Sequence, residues 1–541
     1  MRKSITLIGT MGLMIGLVFT TVGCNSRATT KADTYTPDGK LIVDMRNLYF
    51  GSYVGEGSYL PDVEDRFGIH VNFSSYSWDK WGTEVTSSID GGNIPDVFHA
   101  DIDSYNFGNL YKFWGEHKIA KPLPDELIAS TPSTRWPNLY NMIKNTSNID
   151  ALIVNGKLYG IPVAKNTTDY STSFSPFTYV YRRDWAKKLG VYKENDVYTW
   201  EEFETLLGAF KTYFAGTQRY PLGDVKWGFS SITNFYKQVP HCFAYDGSKY
   251  VCNYTTDAYI NSIKKAKNFM GNGLYYPAQN EATSNTLTEK YYGNSIGVLY
   301  ENLSYSNYLK IREELMESNS SNPTFDLEDA SAIMKIKAPT ESPYSGKYCL
   351  EGTDNWFSMT FFDNRISDNK MEKVLDMLDW LLSEEGTRYA IFGIEGYDYE
   401  MVDGKPQIIE SAWPKTKDGK YADKKNGTKY LRYVVSLGYD TYEYDPLTDM
   451  EAFNILNDWE DEMNTALAAD QLRVLKESKE VMWLTSPQKA RQSSKMRTDA
   501  LITAMDFIYG TINETQYKNS FNNSTLWNRV LNEINSELHK G

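Results

Sequence analysis

Apolar and polar positions alternate along the first part of the chain in a way that predicts short strands separated by helices. The apolar runs predict strands at 41–45, 69–73 and 94–98. The helix after the first strand ends at Gly68, and the next helix ends at Gly91-Gly92. A β-α-β-α-β order is typical of an open, largely parallel sheet, so we expect an α/β lobe here.

Ligands of such sheets bind beyond the carboxyl ends of the strands. In the predicted lobe, the loops at these ends are 47–53, 75–81 and 99–106. The second loop contains Trp78 and Trp81, and the third contains Asp101 and Asp103. A carboxylate accepts a pair of hydrogen bonds from neighbouring hydroxyls, so we predict ligand contacts at these residues.

The spacing of Asp101 and Asp103 also has the form in which a calcium loop begins. The glycine at the sixth position of such a loop and its closing glutamate are missing, so the calcium signal is weak. A solvated loop is the third interpretation of this segment, and we predict no metal site.

A crossing between two lobes is predicted where the last strand of the first lobe ends. Asn155-Gly156 is a hairpin signal, and 158–163 is a short buried strand that Pro162 restricts to a sheet edge or an exit. A polar interval follows, in which Asn166 is a predicted ligand contact. The chain resumes at 177–181 as a strand that runs directly into a helix. We therefore expect the polar interval to form the floor of a cleft.

The following part of the chain has the pattern of a second α/β lobe. It predicts a helix capped by Thr199, a hairpin over 243–251, a helix over 257–271 and a buried strand over 296–300. Helices are recognisable again at 472–490 and 495–510. The chain is expected to return to the first lobe at 331–339 and to leave it again at 393–405.

The segment that begins at Trp356 predicts a strand with one apolar row. Alternation places Phe357, Met359 and Phe361 on one face, so Trp356 shares the more polar face with Ser358 and Thr360. A Trp on the polar face next to a crossing is better placed to line a cleft than to fill a core. We therefore predict a ligand contact at Trp356.

With 541 residues, the chain exceeds what one hydrophobic core usually supports. The predicted fold class is α/β with two lobes, each a mainly parallel sheet flanked by helices, and with several hinge crossings between them. The predicted first lobe comprises 41–165 and 335–385. The predicted second lobe comprises 166–334 and 386–541. Such connections permit closure of rigid lobes around a ligand.

The N-terminal residues have the pattern of a secretory signal peptide over 1–23. Met1-Arg2-Lys3 is a positive start, and an apolar run extends from Ile5 to Val22. Thr21-Val22-Gly23-Cys24 resembles a lipobox, in which Cys24 receives a lipid with palmitate-type chains and becomes the mature N-terminus. The alternative is that the apolar run stays uncleaved as a membrane anchor. Residues 24–40 are predicted to be a flexible tether.

The formal charge of −14 argues against nucleic acid as a partner, because no basic stripe is available to neutralise phosphates. Aromatic residues make up 14% of the chain, and many lie among polar neighbours. A cleft that stacks rings on flat, weakly polar ligands would explain this excess. For any single ring, an ordinary core or rim position is the simpler interpretation.

The motifs of several enzyme classes are missing from the sequence, including the zinc spacing HExxH, the GxSxG elbow and the phosphate-binding GxxxxGKS/T loop. No catalytic residues and no cofactor are therefore predicted. Cys242 and Cys252 flank the predicted hairpin, where a disulfide and two buried free thiols are equally good alternatives, and Cys349 is left over.

Five motifs resemble the signature of the family 1 extracellular solute-binding proteins, the lipid-anchored sugar receptors of ABC importers. They are GKLYGIP at 156–162, YRRDWAKKLG at 181–190, TWEEF at 199–203, SEEGTRYA at 383–390 and GIEGYDYEMVDGK at 393–405. The resemblance implies that the third-strand loop with Asp101 and Asp103 contacts sugar hydroxyls. It also implies a ligand contact from the loop after 296–300, which makes Tyr300, Glu301 and Tyr305 candidates.

The resemblance implies a monomeric receptor on the outer face of the bacterial cell membrane. Its expected partners are an oligosaccharide, the permease subunits of an ABC transporter and the membrane, which it contacts through the lipid alone. The first alternative is a lipid-anchored glycoside hydrolase or lyase, since a pair of carboxylates is not excluded by counting. Binding of a peptide or a polyamine is a smaller alternative.

Overall fold

The computed structural model describes residues 29–48, 50, 59–77, 80–101, 108–164, 173–225, 229–240, 242–277, 284–415, 421, 427–436, 445–476 and 487–538. The predicted signal peptide, Cys24, Trp78, Asp103 and Asn166 lie outside these ranges. Among the described residues, no helix is both long enough and apolar enough to span a membrane.

The first half of the chain contributes these strands: β1 (Leu41–Asn47), β2 (Ile69–Ser75), β3 (Val97–Asp101), β4 (Gly160–Ala164), β5 (Ser173–Phe174), β6 (Phe177–Tyr181), β7 (Val197–Tyr198), β8 (Tyr220–Asp224), β9 (Phe243–Tyr245) and β10 (Tyr250–Cys252). The second half contributes β11 (Ile296–Asn302), β12 (Ala332–Ile336), β13 (Tyr348–Thr353), β14 (Trp356–Phe362), β15 (Tyr399–Val402), β16 (Lys405–Ile408) and β17 (Leu472–Leu475).

The helices of the first half are α1 (Leu60–Phe67), α2 (Trp81–Asp90), α3 (Gly108–Glu116), α4 (Pro137–Lys144), α5 (Arg183–Lys188), α6 (Trp200–Tyr213), α7 (Ser230–Thr233) and α8 (Asp257–Gly271). Those of the second half are α9 (Ser284–Tyr292), α10 (Tyr305–Ser318), α11 (Leu327–Ala330), α12 (Asp368–Leu382), α13 (Glu384–Phe392), α14 (Gly427–Arg432), α15 (Met450–Ala468), α16 (Pro487–Ile508), α17 (Glu514–Asn522) and α18 (Thr525–Leu538).

The first lobe is built on a sheet with the strand order β2-β1-β3-β14-β4. β1 pairs in parallel with β2 and β3, whereas β14 pairs antiparallel with β3 and β4. Four strands therefore share one direction, and β14 runs against them. Pro162 lies in the edge strand β4, where its missing N–H costs no bond of a central ladder.

The second lobe is built on a sheet with the order β7-β12-β6-β11-β8. β6 pairs antiparallel with β12 and β11, while the outer pairs are parallel. Here β6 is the single strand that runs against the other four. Side chains alternate between the two faces of these strands, and each face packs in a different hydrophobic core. Tyr179 and Tyr300 pack on one face, and Val180 and Leu299 pack on the other.

A third sheet has the strand order β17-β13-β5. We call it the hinge sheet, because two of its strands directly precede a strand of each lobe. Its strand β5 leads into β6 after two residues, and β13 leads into β14 after two residues. The residues at which β6 and β14 begin pair with the carboxyl ends of neighbouring strands, Phe177 with Asn302 and Trp356 with Ala164. The hinge sheet therefore adjoins the carboxyl edges of both large sheets.

Several local sequence signals predicted the observed structure correctly. Gly68 ends α1 with a φ of 62°, a left-handed conformation that suits glycine. Thr199 and Glu202 form a reciprocal capping box at the start of α6. Asn155 and Gly156 both have positive φ, as the predicted hairpin turn requires.

The predicted return to the first lobe at 331–339 is wrong. β12 pairs with β6 and β7 in the second sheet, so the predicted boundary between 334 and 335 cuts through a strand. The chain reaches the first lobe only at β14. The predicted helix at 472–490 is also wrong at its start, because β17 pairs in parallel with β13.

The predicted departure from the first lobe at 393–405 is wrong as well. The Asp398 carboxylate accepts a hydrogen bond of 2.6 Å from the Tyr59 hydroxyl. Farther along, the Thr360 hydroxyl donates to the Val434 carbonyl oxygen over 2.6 Å, and Val435 belongs to the first core. Described residues after 405, among them Val434 and Val435, therefore still pack on the first lobe.

Cys242, Cys252 and Cys349 are buried free thiols in this structure. Cys252 pairs in the β9–β10 ladder with Phe243, and Cys242 lies one position beyond that pair. Burial raises the pKa of the Cys252 thiol to about 12, so the thiol stays protonated at neutral pH. Of the two alternatives for this pair, the structure has the free thiols.

Candidate functional site

The carboxyl edges of the two large sheets, together with the hinge sheet, form the candidate site. In open α/β sheets, ligands bind at these edges, and here the hinge sheet connects them. Buried polar side chains collect near the second-lobe edge, close to the ends of β8 and β11, on α7 and the residues that follow it, and on β13 of the hinge sheet. We call this group, which consists of Asp224, Ser231, Asn234, Lys237, Tyr300 and Glu351, the second-lobe polar cluster.

Asp224, the last residue of β8, is fully buried. Its Oδ2 accepts a hydrogen bond of 2.8 Å from the backbone N–H of Ser231, at the start of α7. The Tyr179 hydroxyl donates to the Ser231 carbonyl oxygen, and the Ser231 hydroxyl is bonded to that of Tyr275. One carboxylate and two phenols thereby fix the position of α7 at the carboxyl edge.

Tyr300 lies beside this group with its side chain buried. Its hydroxyl oxygen accepts a hydrogen bond of 3.0 Å from Asn234 Nδ2, and its ring packs against Tyr179. Burial raises the pKa of the Tyr300 phenol well above its ordinary value, and the carboxylate of Glu351 acts in the same direction. The phenol therefore remains protonated and is able to donate a hydrogen bond of its own.

A buried ion pair joins the second lobe to the hinge sheet. Lys237 Nζ lies 3.0 Å from Glu351 Oε1, and the side chains are 5% and 7% exposed. Glu351 belongs to β13. Its backbone carbonyl oxygen accepts a hydrogen bond from the Ser175 N–H, which lies in the link between β5 and β6. The ion pair thus lies where the hinge sheet enters the second lobe.

Glu301 follows Tyr300 but lies on the opposite face of the sheet. Its Oε2 accepts a hydrogen bond of 2.7 Å from the Thr288 hydroxyl of α9, and its Oε1 accepts one of 2.8 Å from the Asn302 N–H. Tyr305 is half-buried at the start of α10, and its hydroxyl accepts a hydrogen bond from the Asp449 N–H. The three predicted contacts near 300 therefore point in different directions.

At the first-lobe edge, Trp81 is the first residue of α2 and is 7% exposed. Its Nε1 donates to the His99 carbonyl oxygen over 2.9 Å, and His99 Nε2 lies 2.6 Å from the Ser358 hydroxyl. Burial lowers the pKa of His99 to about 3, so the imidazole is neutral. Asp101 ends β3 opposite Ser358.

Tyr76 extends this edge beyond β2. Its ring lies under the Arg46 guanidinium, 4.2 Å from ring centroid to Cζ, and the residue is 4% exposed. The predicted loop 75–81 thus places Tyr76 and Trp81 at the carboxyl edge. Both rings are already covered by protein in this structure.

Trp356 does not lie on a free cleft wall. It is 5% exposed, belongs to the first core, and donates from Nε1 to the Ser147 carbonyl oxygen over 2.8 Å. Two facts defeat the alternation argument. Both faces of β14 are buried, since its residues 358–361 are at most 1% exposed, and its pairing with β4 is irregular between Trp356 and Ser358.

The structure therefore brings Trp81, Asp101 and Trp356 to one end of the first sheet and Tyr300 to the matching end of the second. Contact of these residues with a ligand stays a prediction, as it does for Trp78, Asp103 and Asn166, which lie outside the described ranges. The sequence analysis missed Asp224, Asn234, Lys237 and Glu351. Of these four residues, only Asp224 had a sequence signal that could have indicated a site, namely its position at the end of a strand.

Two α/β lobes whose carboxyl edges adjoin a shared hinge sheet define the fold class of two-lobed binding proteins. Residues 60–297 match the family model described as bacterial extracellular solute-binding protein, which confirms the predicted resemblance. A search of curated proteins gave no match.

Solved structures share the fold over nearly the whole chain. One is an HMO-binding, ABC-transporter-associated solute-binding protein from Bifidobacterium longum infantis, with a TM-score of 0.62 at 15% identity, covering 92% of this chain and 100% of that one. A second is the alginate-binding protein AlgQ2 without calcium ion, with a TM-score of 0.60 at 15% identity, covering 94% of this chain and 99% of that one.

A third is the ABC-transporter substrate-binding protein FusA of S. pneumoniae in complex with kestose, with a TM-score of 0.60 at 15% identity, covering 92% of this chain and 98% of that one. At these identities the likeness concerns the fold, and it confirms the predicted two-lobed α/β class. The family and these neighbours are binding proteins.

Proposed function

We propose that the protein is a receptor that binds an oligosaccharide between its lobes and delivers it to an ABC permease. The observation that carries this proposal is the hinge sheet, which adjoins the carboxyl edges of both lobes and so creates one site from two halves. Neighbours with this fold are described as binding HMO, alginate or kestose. Ligand affinity for the closed arrangement of the lobes would supply the free energy that favours closure.

The charges of the second-lobe edge favour a neutral sugar as the ligand. Asp224 and Glu351 are the buried carboxylates of the second-lobe polar cluster, and Lys237 is the cation of this cluster. An anionic sugar brought to this edge would meet an excess of negative charge at low dielectric. Hydroxyls, in contrast, are good donors to carboxylates and good acceptors from a protonated phenol such as that of Tyr300.

The experiment that tests the proposal is a thermal-shift screen with a panel of neutral oligosaccharides and one uronate polymer fragment. At a ligand concentration of 100 times the Kd, binding adds about 2.7 kcal/mol to the free energy of unfolding. We expect a saturable rise in Tm with at least one neutral glycan. A rise with the uronate alone contradicts the neutral class, and no rise with any glycan contradicts the receptor proposal.

The enzyme alternative and the receptor proposal predict different fates for the ligand. A receptor returns its oligosaccharide unchanged, whereas a hydrolase or a lyase shortens it. The same glycan that stabilises the protein is therefore incubated with it and analysed by chromatography. Products that increase with protein concentration would overturn the proposed binding function.

We predict that replacing both Asp101 and Asp103 with alanine weakens glycan binding. Each lost charge-assisted hydrogen bond is expected to cost about 1.5–3 kcal/mol, which is about one to two decades in Kd. Isothermal titration with the glycan found in the screen measures the change. Asp125→Ala is the matched control, because Asp125 is an exposed carboxylate whose partner is Lys157 on the surface. An unchanged isotherm would place the two aspartates on the solvent side.

The receptor is proposed to be held at the outer face of the cell membrane by a lipid on Cys24, and to act there as a monomer. We predict that Cys24→Ser releases the protein into the medium but leaves glycan binding unchanged, because anchoring and recognition use separate parts of the chain. Cell fractionation followed by titration of the released protein measures both properties. A variant that stays in the membrane fraction would favour an uncleaved N-terminal helix.

A further inference from the structure

The side chain of Asn234, directly after α7, is buried with only half of its amide bonded. The residue is 2% exposed, and its Nδ2 donates to the Tyr300 hydroxyl oxygen over 3.0 Å. Its Oδ1 receives no hydrogen bond from any residue that the structure describes. A buried acceptor without a donor costs free energy, so such atoms are rare in folded proteins and indicate that another group binds there.

Tyr300 adds an unused donor at the same place. In its bond with Asn234 the phenol oxygen is the acceptor, and no other described side chain accepts its proton. Burial raises the pKa of this phenol well above its ordinary value, so the proton is present at neutral pH. One acceptor and one donor, joined by a bond of 3.0 Å, are therefore both available to a third group.

The amide of Asn234 gives the same result in its other orientation, in which oxygen and nitrogen exchange places. The Tyr300 hydroxyl then donates to Oδ1, and Nδ2 becomes the buried atom without a partner. A group that fits both orientations has to donate as well as accept, and a hydroxyl does both. The pair therefore has the hydrogen-bonding pattern of a site for one hydroxyl.

Both side chains are held in place by their surroundings. The Ser231 N–H donates to Asp224 Oδ2 over 2.8 Å, which fixes the start of α7. The ring of Tyr300 packs against the rings of Tyr179 and Phe177, with centroids 4.9 Å and 5.9 Å apart. The amide and the phenol are thus preorganised for a partner, which lowers the entropy that binding costs.

The pair lies at the carboxyl edge of the second lobe. Tyr300 pairs with Asp224, the last residue of β8, and it precedes the end of β11 by two residues. This is the edge at which the proposed glycan would bind.

We infer that Asn234 and Tyr300 together bind one hydroxyl of the glycan, which donates to the amide and accepts from the phenol. The inference rests on the proposed receptor function and deepens it, because it makes Asn234 a specificity residue. A site built to bond a hydroxyl rejects an analogue that lacks the hydroxyl, since its own buried groups then stay unpaired.

The inference is tested with Asn234→Leu and Tyr300→Phe, which keep the approximate size of each side chain and remove its hydrogen-bonding groups. The probes are neutral oligosaccharides of the panel, with kestose, maltotriose and cellotriose among them. For a glycan that the parent protein binds, isothermal titration is expected to show a Kd about tenfold higher in each variant. In the double variant we expect less than the product of the two changes, because both side chains bind the same hydroxyl.

Tyr291→Phe is the matched control. Tyr291 is a fully buried tyrosine of the same lobe, and its hydroxyl donates to the Ala330 carbonyl oxygen over 2.6 Å. It packs in the core on the opposite face of the sheet from Tyr300. Loss of its hydroxyl is expected to lower the Tm and to leave the Kd unchanged.

An unchanged Kd in folded Asn234→Leu or folded Tyr300→Phe would overturn the inference, because water alone would then fill the place beside Oδ1. The receptor function would stand in that case. If no glycan of the panel bound to the parent protein, the receptor function would fall and this inference with it. Should one variant fail to fold, the other decides, since each removes one partner of the same hydroxyl.

Discussion

Replacing Glu351 with alanine will lower the free energy of unfolding by about 3–5 kcal/mol, because the substitution leaves the Lys237 ammonium buried without the carboxylate at 3.0 Å. Both side chains are nearly inaccessible to solvent, so water is a poor substitute for the lost partner. Urea unfolding followed by circular dichroism measures the loss. The transition that reports on the second lobe is expected to move most, since the pair joins this lobe to the hinge sheet.

The control for this experiment removes both charges. A double variant, Lys237→Met with Glu351→Leu, replaces the ion pair with apolar side chains of similar length, and such replacements are often neutral or stabilising. We expect it to recover most of the stability lost in Glu351→Ala. If the single variant were as stable as the parent protein, the ion pair would contribute nothing to the link between lobe and hinge.

Replacing Trp356 with alanine will cost about 3–5 kcal/mol of stability in the absence of any ligand. The sequence pattern alone favours the opposite result, a cleft residue whose loss is felt only by the ligand. The structure changes this expectation because the indole is 5% exposed in the first core. Urea unfolding of the apo protein, followed by circular dichroism, distinguishes the two results.

Trp356→Phe is the matched variant, because it keeps the ring in the core and removes the hydrogen bond to the Ser147 carbonyl. We expect it to cost about 1–3 kcal/mol, the penalty for a partly buried carbonyl that loses its donor. If Trp356→Ala left apo stability nearly unchanged and abolished ligand-dependent stabilisation, the core assignment would be wrong and the cleft interpretation would be restored.

The parts of the fold that the sequence predicted correctly depend on signals within a few residues. Gly68 ends a helix because its own φ is positive, and Thr199 caps a helix with a glutamate three residues away. Pro162 identifies an edge strand because proline has no N–H to donate. Each of these signals acts through the local backbone, so a single sequence contains it completely.

The errors concern which partner a strand chooses. The apolar run of β12 would suit either lobe, and its pairing with Tyr179 and Tyr181, about 150 residues earlier, decides the lobe. The residues of β17 were predicted to be helical, but their local helix preference is weak, and pairing with β13 makes them a strand. The burial of Trp356 likewise depends on distant segments, because packing from elsewhere in the chain buries both faces of β14, including the face that alternation assigned to a cleft. Ligand contact at Trp356 stays a prediction.

The candidate site shows the same division. Asp101 and Tyr300 were predicted as ligand contacts because they lie at predicted strand ends or in the loops that follow them. Lys237 and Glu351 were missed because they are separated by 114 positions, and nothing near either residue indicates the other. A buried ion pair between distant segments is a property of the folded chain and has no local pattern.

The strands that enter the lobes from the hinge sheet, β6 and β14, are bonded on both sides within their sheets. A force applied at the hinge therefore reaches the middle of each lobe and cannot peel away an edge strand one bond at a time. If the lobes close around a ligand, we expect each to rotate as a rigid body and the two-residue links 175–176 and 354–355 to be among the places where the backbone changes. The stiffness of these links should then influence how far and how fast the protein closes.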